Sequence, residues 1–525
     1  MKHRNLVCTA AIAATFIASA PCARSKQAGI ELQPISSVRT NVTGIGAAEI
    51  VAHDPVTHRL FVVNFPASRI DVIDATNPLN PVIVGSIDIT PYGGSANSVA
   101  VKDGVIAIAV EAVVRTDPGS VVFFDTNLNY LNSVPVGALP DMVTFSPNGR
   151  FVLTANEGEP SIDYSFDPEG SVSIIDISNG VAGLTEENVR TAGFAAFNNV
   201  TLDPSIRIFG PGATVAQDIE PEYISLSNDS KTAWVTLQEN NAIAIIDVPS
   251  ATVNKLVGLG TKDHSLTGNG LDASDRDSAI NIRSWPVRGF YLPDGIASFK
   301  VGSKEYLLLA NEGDAREYDG FVEEARIGAA DVVLDPTAFP NAATLKANAN
   351  LGRLKLTRAQ GDVDHDGDFD TIYTFGGRSF SIRDTAGALV WDSGDQLERI
   401  TANAFPASFN AGHDDKTFDS RSDDKGPEAE SVTVGKVGGR TYAFIGLERI
   451  GGIVVFDVSN PTAPEFVQYV NNRDFTANNN TPESGDLGPE GVLFIPAEES
   501  GSGKPLVVVA NEVSGTTTIF EVNSK

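Results

Sequence analysis

Along the chain, short apolar or alternating runs recur between turn signals, and one three-part unit can be read seven times. Each unit opens on an acid or amide, often after proline, and continues as a short alternating strand. A turn rich in Asn, Asp or Gly follows, then a fully apolar strand that usually ends in Glu, then a strand of the type Ile-Ile-Asp. The units start at Glu49, Asn97, Asp141, Glu222, Asp294, Glu430 and Glu490. Their second strands read LFVVN, VIAIAV, FVLTAN, AWVTLQ, YLLLAN, YAFIGL and LVVVAN. β-branched residues with period-two alternation between turn signals predict sheet, not helix. Repeats of about 40–45 residues with four strands each are the signature of a β-propeller.

The expected fold is therefore all-β: a single seven-bladed β-propeller over residues 24–525, with long lid insertions on one face. The last unit has three strands before the chain ends. Residues 30–38 (IELQPISSV) are expected to supply its fourth strand, which would close the ring and protect its edges. The spacings between units exceed a bare blade. The excess falls in loops 156–169, 195–220, 258–293, 311–378 and 393–429. In a propeller, loops after second strands and between blades share one face. That face is expected to bind.

Composition adds compartment and partners. The chain has 525 residues, 42% hydrophobic and 20% charged, which fits a globular protein with a core. Its net charge of −29 argues against nucleic acid and anionic membrane surfaces as partners. Lys2 and Arg4 precede an apolar stretch, 6–20, and a small-residue cleavage region. This predicts a secretory signal peptide, 1–23, and a periplasmic or secreted mature chain of charge about −31. Cys8 and Cys22 leave with it, so a mature chain without disulfides is expected. Later apolar runs fall short of the roughly 18 residues a membrane span needs. No C-terminal anchor is expected, and a monomer is.

The candidate chemistry is acidic. The position before the first strand carries Glu49, Asp141, Glu222, Asp294, Glu430 and Glu490, with Asn97 as the exception. The position ending the second strand carries Glu111, Glu157, Glu239, Glu312, Glu448 and Glu512. Carboxylates gathered around one axial mouth repel unless protonated, hydrogen-bonded or metal-bound. Hard divalent cations suit such a ring, calcium first, because it accepts many oxygens in loose geometry. The alternative is that each acid accepts backbone N–H bonds from a neighbouring blade. A second cation signal is Asp362, Asp364, Asp366, Asp368 and Asp370, spaced as in an EF-hand-type loop with Gly367 at the turn. Its twelfth position is Tyr373, so Asp370 would replace the usual bidentate Glu.

Arg316 and Arg449 follow the ring glutamates Glu312 and Glu448, where they would neutralise a phosphate or carboxylate ligand, or merely pair with ring acids. His264 and His413 sit in lid segments as candidate acids, metal ligands or surface histidines. Asp272, Asp275 and Asp277 form another acidic lid cluster. Common hydrolase and nucleotide-binding motifs are absent from the sequence.

The segments AQDIEPEY, KDHSLTGNGLDASDRD, WPVRGFYLPDGIASF, LLANEGDAREYDGF, FGGRSFSI, GLERIGG and VVVANEVSGTT, with the acidic loop, resemble the bacterial choice-of-anchor I proteins. That family includes the mesenchyme-specific cell-surface glycoproteins of biomineralising animals. The resemblance covers nearly all the mature chain. It implies an extracellular propeller, and the alkaline-phosphatase label of many bacterial members implies phosphoesterase activity. Two functions follow as expectations. One is a calcium-dependent phosphomonoesterase that takes a small phosphoester or other anion. The other is a non-catalytic calcium-binding matrix or interaction protein. A metal-dependent esterase of lactonase type is a third.

Overall fold

The computed structural model describes residues 29–40, 42–44, 46–479 and 481–525. The expected signal peptide lies outside these residues. Among them are seven four-stranded antiparallel sheets. The first joins Val51–Asp54, Arg59–Asn64, Arg69–Asp74 and Val82–Asp88. The second joins Ala96–Lys102, Val105–Val110, Pro118–Asp125 and Tyr130–Ala138. The third joins Pro140–Phe145, Phe151–Asn156, Ser171–Asp176 and Val189–Gly193. The fourth joins Pro221–Leu226, Thr232–Leu237, Ala242–Asp247 and Thr252–Gly258. The fifth joins Ile296–Val301, Lys304–Asn311, Ser379–Asp384 and Leu389–Asp392. The sixth joins Ala429–Val437, Arg440–Leu447, Ile453–Asp457 and Glu465–Val470. The seventh joins Pro489–Ile495, Leu506–Asn511 and Thr516–Ser524, with Ile30–Arg39 on its outer edge.

The apolar pattern explains the ring. Second strands are apolar through most of their central positions because each sheet is covered on both faces, and the period of two sends alternate residues to opposite neighbours. In the first sheet, Phe61 and Val63 pack toward the second sheet, while Leu60 and Val62 pack toward the seventh. The same sharing joins Phe123 to Val152, Leu153 to Val235, Trp234 to Leu307, Phe380 to Phe456 and Phe444 to Phe520. Neighbouring sheets thus share a core all the way round, and the fold is a β-propeller. Each fully buried phenylalanine contributes about 1.5–3 kcal/mol of transfer free energy.

Closure is non-covalent and joins segments remote in sequence. The N-terminal strand pairs antiparallel with the last strand, Leu32 opposite Val522. The Gly491 N–H donates to Glu49 O at 3.0 Å, and a Cβ on Gly491 would lie 2.6 Å from that oxygen. Glycine is required where the seventh sheet meets the first.

The insertions are a folded cap rather than loose loops. Segment 311–378 leaves and returns at paired residues, Asn311 opposite Ser379. With 258–293 it builds an apolar core of its own, including Leu271, Trp285, Ile327, Leu351, Leu356 and Ile372. Arg207, fully buried, docks this cap on the propeller. It pairs with Glu323 and donates to Gln360 Oε1 at 3.1 Å and Glu239 O at 2.9 Å. Among the described residues, no helix is long and apolar enough to cross a membrane.

Candidate functional site

The repeat delivers acids to one end of each sheet through its backbone. Residues ending second strands donate to the segments that enter first strands: Glu157 N to Leu139 O at 2.9 Å, Glu448 N to Glu428 O at 2.9 Å, and Glu512 N to Gly488 O at 2.7 Å. The asparagine before several of these glutamates is structural. Asn156 donates to Ser171 O at 3.2 Å, Asn311 to Ser379 Oγ at 3.1 Å, and Asn511 to Thr516 O at 3.2 Å. The recurrent Asn-Glu pair therefore has one member that clamps the third strand and one acid left at the mouth.

A cavity of about 310 Å³ lies there, lined by Glu49, Asp294, Glu312, Asp314, Glu430, Glu448, Glu490 and Glu512, with Gln238, His413 and Arg449. Three acid clusters bring their oxygens, or a histidine nitrogen, within 4.8 Å of one another at this cavity: Asp294 with Glu312 and Glu430, Glu312 with Glu428 and Glu448, and His413 with Glu448 and Glu512. A fourth joins Asp141, Glu157 and Glu222. Buried oxygens of Glu49, Glu239, Glu430 and Glu448 have no hydrogen-bond partner. Leaving such groups unpaired is costly, so the alternative in which backbone N–H groups satisfy every acid does not hold for these four. Oxygen donors of this density fit a hard divalent cation.

The electrostatics agree with an uncompensated ring. Burial first, and neighbouring carboxylates second, raise Glu49, Glu157, Glu222, Glu430 and Glu490 well above the ordinary carboxylate range. Glu312 is raised too, by burial, against the pull of Lys425. Burial pushes Asp141, Glu239 and Glu512 up to about 7.

Arg449 belongs to this mouth. Its guanidinium lies 2.7 Å from Glu448, 2.8 Å from Glu428 and 2.9 Å from His413 Nε2. His413 Nδ1 is 3.1 Å from Glu448 and 3.9 Å from Glu512, so this histidine is part of the wall and only 6% exposed. Sequence reading missed Lys425, Glu428 and Asp314. Lys425 Nζ lies 2.9 Å from Asp314, 3.5 Å from Glu312 and 3.6 Å from Glu428. These residues stand outside the repeat, in segments whose positions only the folded cap defines.

Two expected site residues lie elsewhere. Arg316 is buried against Asp218, and its Nη2 is 3.0 Å from Glu220, so its donors are engaged by structural acids. It follows Glu312 in sequence, but the chain turns into the cap within those four residues. His264 is fully buried; its Nδ1 lies 2.6 Å from Asn269 O, and a Cβ on Gly289 would lie 2.7 Å from its Nε2. Burial, and then Lys262, lower it to about 3, which keeps the ring neutral. Asp275 pairs with Arg353 at 3.0 Å, whereas Asp272 is buried and bonded by Asn281 N at 2.5 Å.

In the acidic loop, Asp362, Asp364 and Asp370 bring their oxygens within 4.8 Å of one another. Asp362 accepts from Asp366 N at 3.2 Å and Gly367 N at 3.1 Å, and Asp370 accepts from Val363 N at 2.7 Å. Asp366 accepts from Asp368 N at 3.2 Å. Asp366 and Asp368 stand outside the three-acid cluster.

Gigasin-3a of Magallana gigas is 31% identical over 191 residues, 34% of this chain and 67% of the relative. The mesenchyme-specific cell surface glycoprotein of Strongylocentrotus purpuratus is 30% identical over 279 residues, 47% of this chain, and the match spans 36% of that longer protein. Among solved structures, hydrazine synthase of Kuenenia stuttgartiensis superposes with a TM-score of 0.46 at 13% identity, over 92% of this chain and 97% of its own. The Cps50 (Swd1) β-propeller domain of Myceliophteria thermophila gives 0.44 at 9% identity, over 93% and 99%. The model of the choice-of-anchor I domain matches residues 49–461, and the chain belongs to that family.

Proposed function

We propose that this is an exported, cation-dependent phosphomonoesterase whose reaction takes place in the acidic mouth. The observation that carries the reading is the company Arg449 keeps: one guanidinium inside a cavity walled mainly by acids, of which Glu49, Glu430 and Glu448 each keep an unpartnered oxygen. Glu430, Glu448, Glu490 and Glu512, with His413, would hold a divalent cation, calcium first. When bound, that cation supplies Lewis acidity and a water of lowered pKa.

The remaining work falls to side chains of the chain. Arg449 offers planar donors to phosphoryl oxygens, which an all-carboxylate wall would repel. Glu428 and Glu448 fix its orientation from two sides. On this reading His413, whose ring lies between Arg449 and Glu448, would give up one of these contacts to pass a proton to the leaving alkoxide. Export is supported by the N-terminal leader pattern and by the name of the sea-urchin relative, a cell surface glycoprotein. The acidic loop at Asp362–Asp370 is read as a separate calcium site that stiffens the cap.

A second reading is favoured by the contacts of Arg316 and Arg449. One is wholly engaged by Asp218 and Glu220, and the other already bridges two glutamates. On this reading the protein binds calcium without turnover and presents its face to a partner. Hydrolysis of p-nitrophenyl phosphate and p-nitrophenyl acetate by chelated and calcium-restored protein separates the readings. A phosphate-specific rate that vanishes and returns supports the esterase. A melting temperature raised by calcium with no rate supports the binding protein, and a rate on acetate alone supports a carboxylesterase.

A further inference from the structure

Away from the mouth, two oxygens of one hydrogen-bonded network are buried without a partner. Segment 409–421 turns back on itself: Asp419 N donates to Phe409 O at 2.8 Å, and Arg421 N to Asn410 O at 2.8 Å. Asn410 and Asp419 are 0% and 1% exposed. Asn410 Nδ2 donates to Ser422 Oγ at 2.8 Å and to Glu398 Oε1 at 3.0 Å. Ser422 Oγ donates in turn to Asp419 Oδ1 at 2.5 Å. These bonds fix both side chains, and turning the amide over would set its oxygen against two acceptors. Asn410 Oδ1 and Asp419 Oδ2 are left unpartnered. Fully buried acceptors in that state call for a donor or a cation.

The network is also short of positive charge. Glu398 Oε2 accepts from Asp272 N at 3.1 Å, which brings the cap segment 271–281 to the same place. Glu398, Asp272 and Asp419 are all fully or almost fully buried. Among the described residues, one basic group pairs with them: Arg378 Nη1 stands 2.6 Å from Glu398 Oε1. Its other bonds go to carbonyls, Asp272 O at 2.6 Å, Ser422 O at 2.7 Å and Asp424 O at 2.8 Å. Three buried carboxylates thus share one guanidinium. Water would serve the two orphaned oxygens but carries no charge. Burial, with the charges of Asp272, Asp277 and Glu398 added to it, pushes Asp419 up to about 8. A calcium-class ion meets both needs, because it takes carboxylate and amide oxygens together.

We propose that Asp419 Oδ2 and Asn410 Oδ1 ligate a divalent cation of the calcium class, enclosed where the 409–422 turn meets the 271–281 segment of the cap. The site is separate from the acidic mouth and independent of turnover there. Its ion stiffens the turn from which Arg421 and Lys425 reach Glu428.

The test is long-wavelength diffraction from crystals of the full mature protein grown in calcium. An anomalous peak about 2.3–2.6 Å from both Asp419 Oδ2 and Asn410 Oδ1 is expected. Water, or a protonated Asp419 bonded to Asn410, gives no anomalous peak there, and either result overturns the proposal. Metal content by plasma mass spectrometry, after desalting, gives a second measure. Asp419→Asn is expected to retain about one calcium per chain fewer than the wild type. A folded Asp419→Asn chain that retains the wild-type amount overturns the proposal; if that variant folds poorly, the diffraction result decides alone. The peak is expected to persist in Glu448→Gln/Glu512→Gln, whose changes lie in the mouth. Phosphate hydrolysis absent from a wild type that shows the peak counts against the mouth reading alone, and hydrolysis present without the peak counts against the buried site alone.

Discussion

Arg449 Nε stands 2.8 Å from Glu428 Oε2, and Glu428 is fully buried. Burial would raise this carboxyl, but Arg421, Arg449 and Lys425 together outweigh it and hold it below the ordinary range. A depressed native value contributes stability above the unfolded pKa, lost as pH falls toward the native one. Glu428 is thus the anchor on which the cationic side of the mouth rests. Glu428→Gln is expected to cost about 3–5 kcal/mol, read by urea unfolding at pH 7, because buried cations lose their counter-charge.

The two arginines proposed from sequence should separate by readout. Arg316→Met leaves Asp218 and Glu220 buried without their partner and is expected to cost about 3–5 kcal/mol of stability. Arg449→Met, at a side chain 21% exposed, should lower kcat/KM on a phosphoester far more than it lowers the melting temperature. Parallel thermal and kinetic measurements on both variants check this.

Ring acids give a pH dependence of defined sign. Asp141, Glu239 and Glu512 sit at about 7 in the folded chain, above the ordinary carboxylate value. The folded state therefore holds more protons than the unfolded one between about pH 4 and 7. Stability of the chelated protein should fall as pH rises through that window. Calcium should restore it above pH 7, where the ligands are ionised. Melting curves from pH 4 to 8, with chelator and with calcium, test both halves.

His264 should remain neutral across the same range, because burial lowers it to about 3. Its Nδ1 is placed to donate to Asn269 O, 2.6 Å away. Nitrogen-15 chemical shifts are expected to show a neutral Nδ1–H tautomer down to about pH 4. A titration near 6.5 would contradict the packing described for this residue.

The seam between the seventh and first sheets offers a steric test. Gly491→Ala would press a Cβ to 2.6 Å from Glu49 O. A loss of about 1–3 kcal/mol is expected by urea unfolding.

Much of this was legible in the sequence for a physical reason. A strand covered on both faces is apolar through its centre, so LFVVN or LVVVAN announces itself in any context, and a Glu after it marks the same end in six of the seven units. The closing strand around Leu32 was readable because the last unit lacked a fourth strand. The cap was not readable as a body: Trp285 and Ile327 belong to different insertions, and neither segment shows that it packs on the other. Lys425 and Glu428 escaped notice because they belong to no repeat. Arg316 misled because nearness in sequence to Glu312 does not survive the turn into the cap.

The most direct test of the central claim is calorimetric titration of chelated protein with calcium at pH 8, for the wild type and for Glu448→Gln/Glu512→Gln. Saturable binding that weakens at least tenfold in the variant is the predicted result, since two charged oxygen ligands are removed. Binding that is absent in the wild type, or equal in both proteins, would contradict the acidic mouth as a cation site.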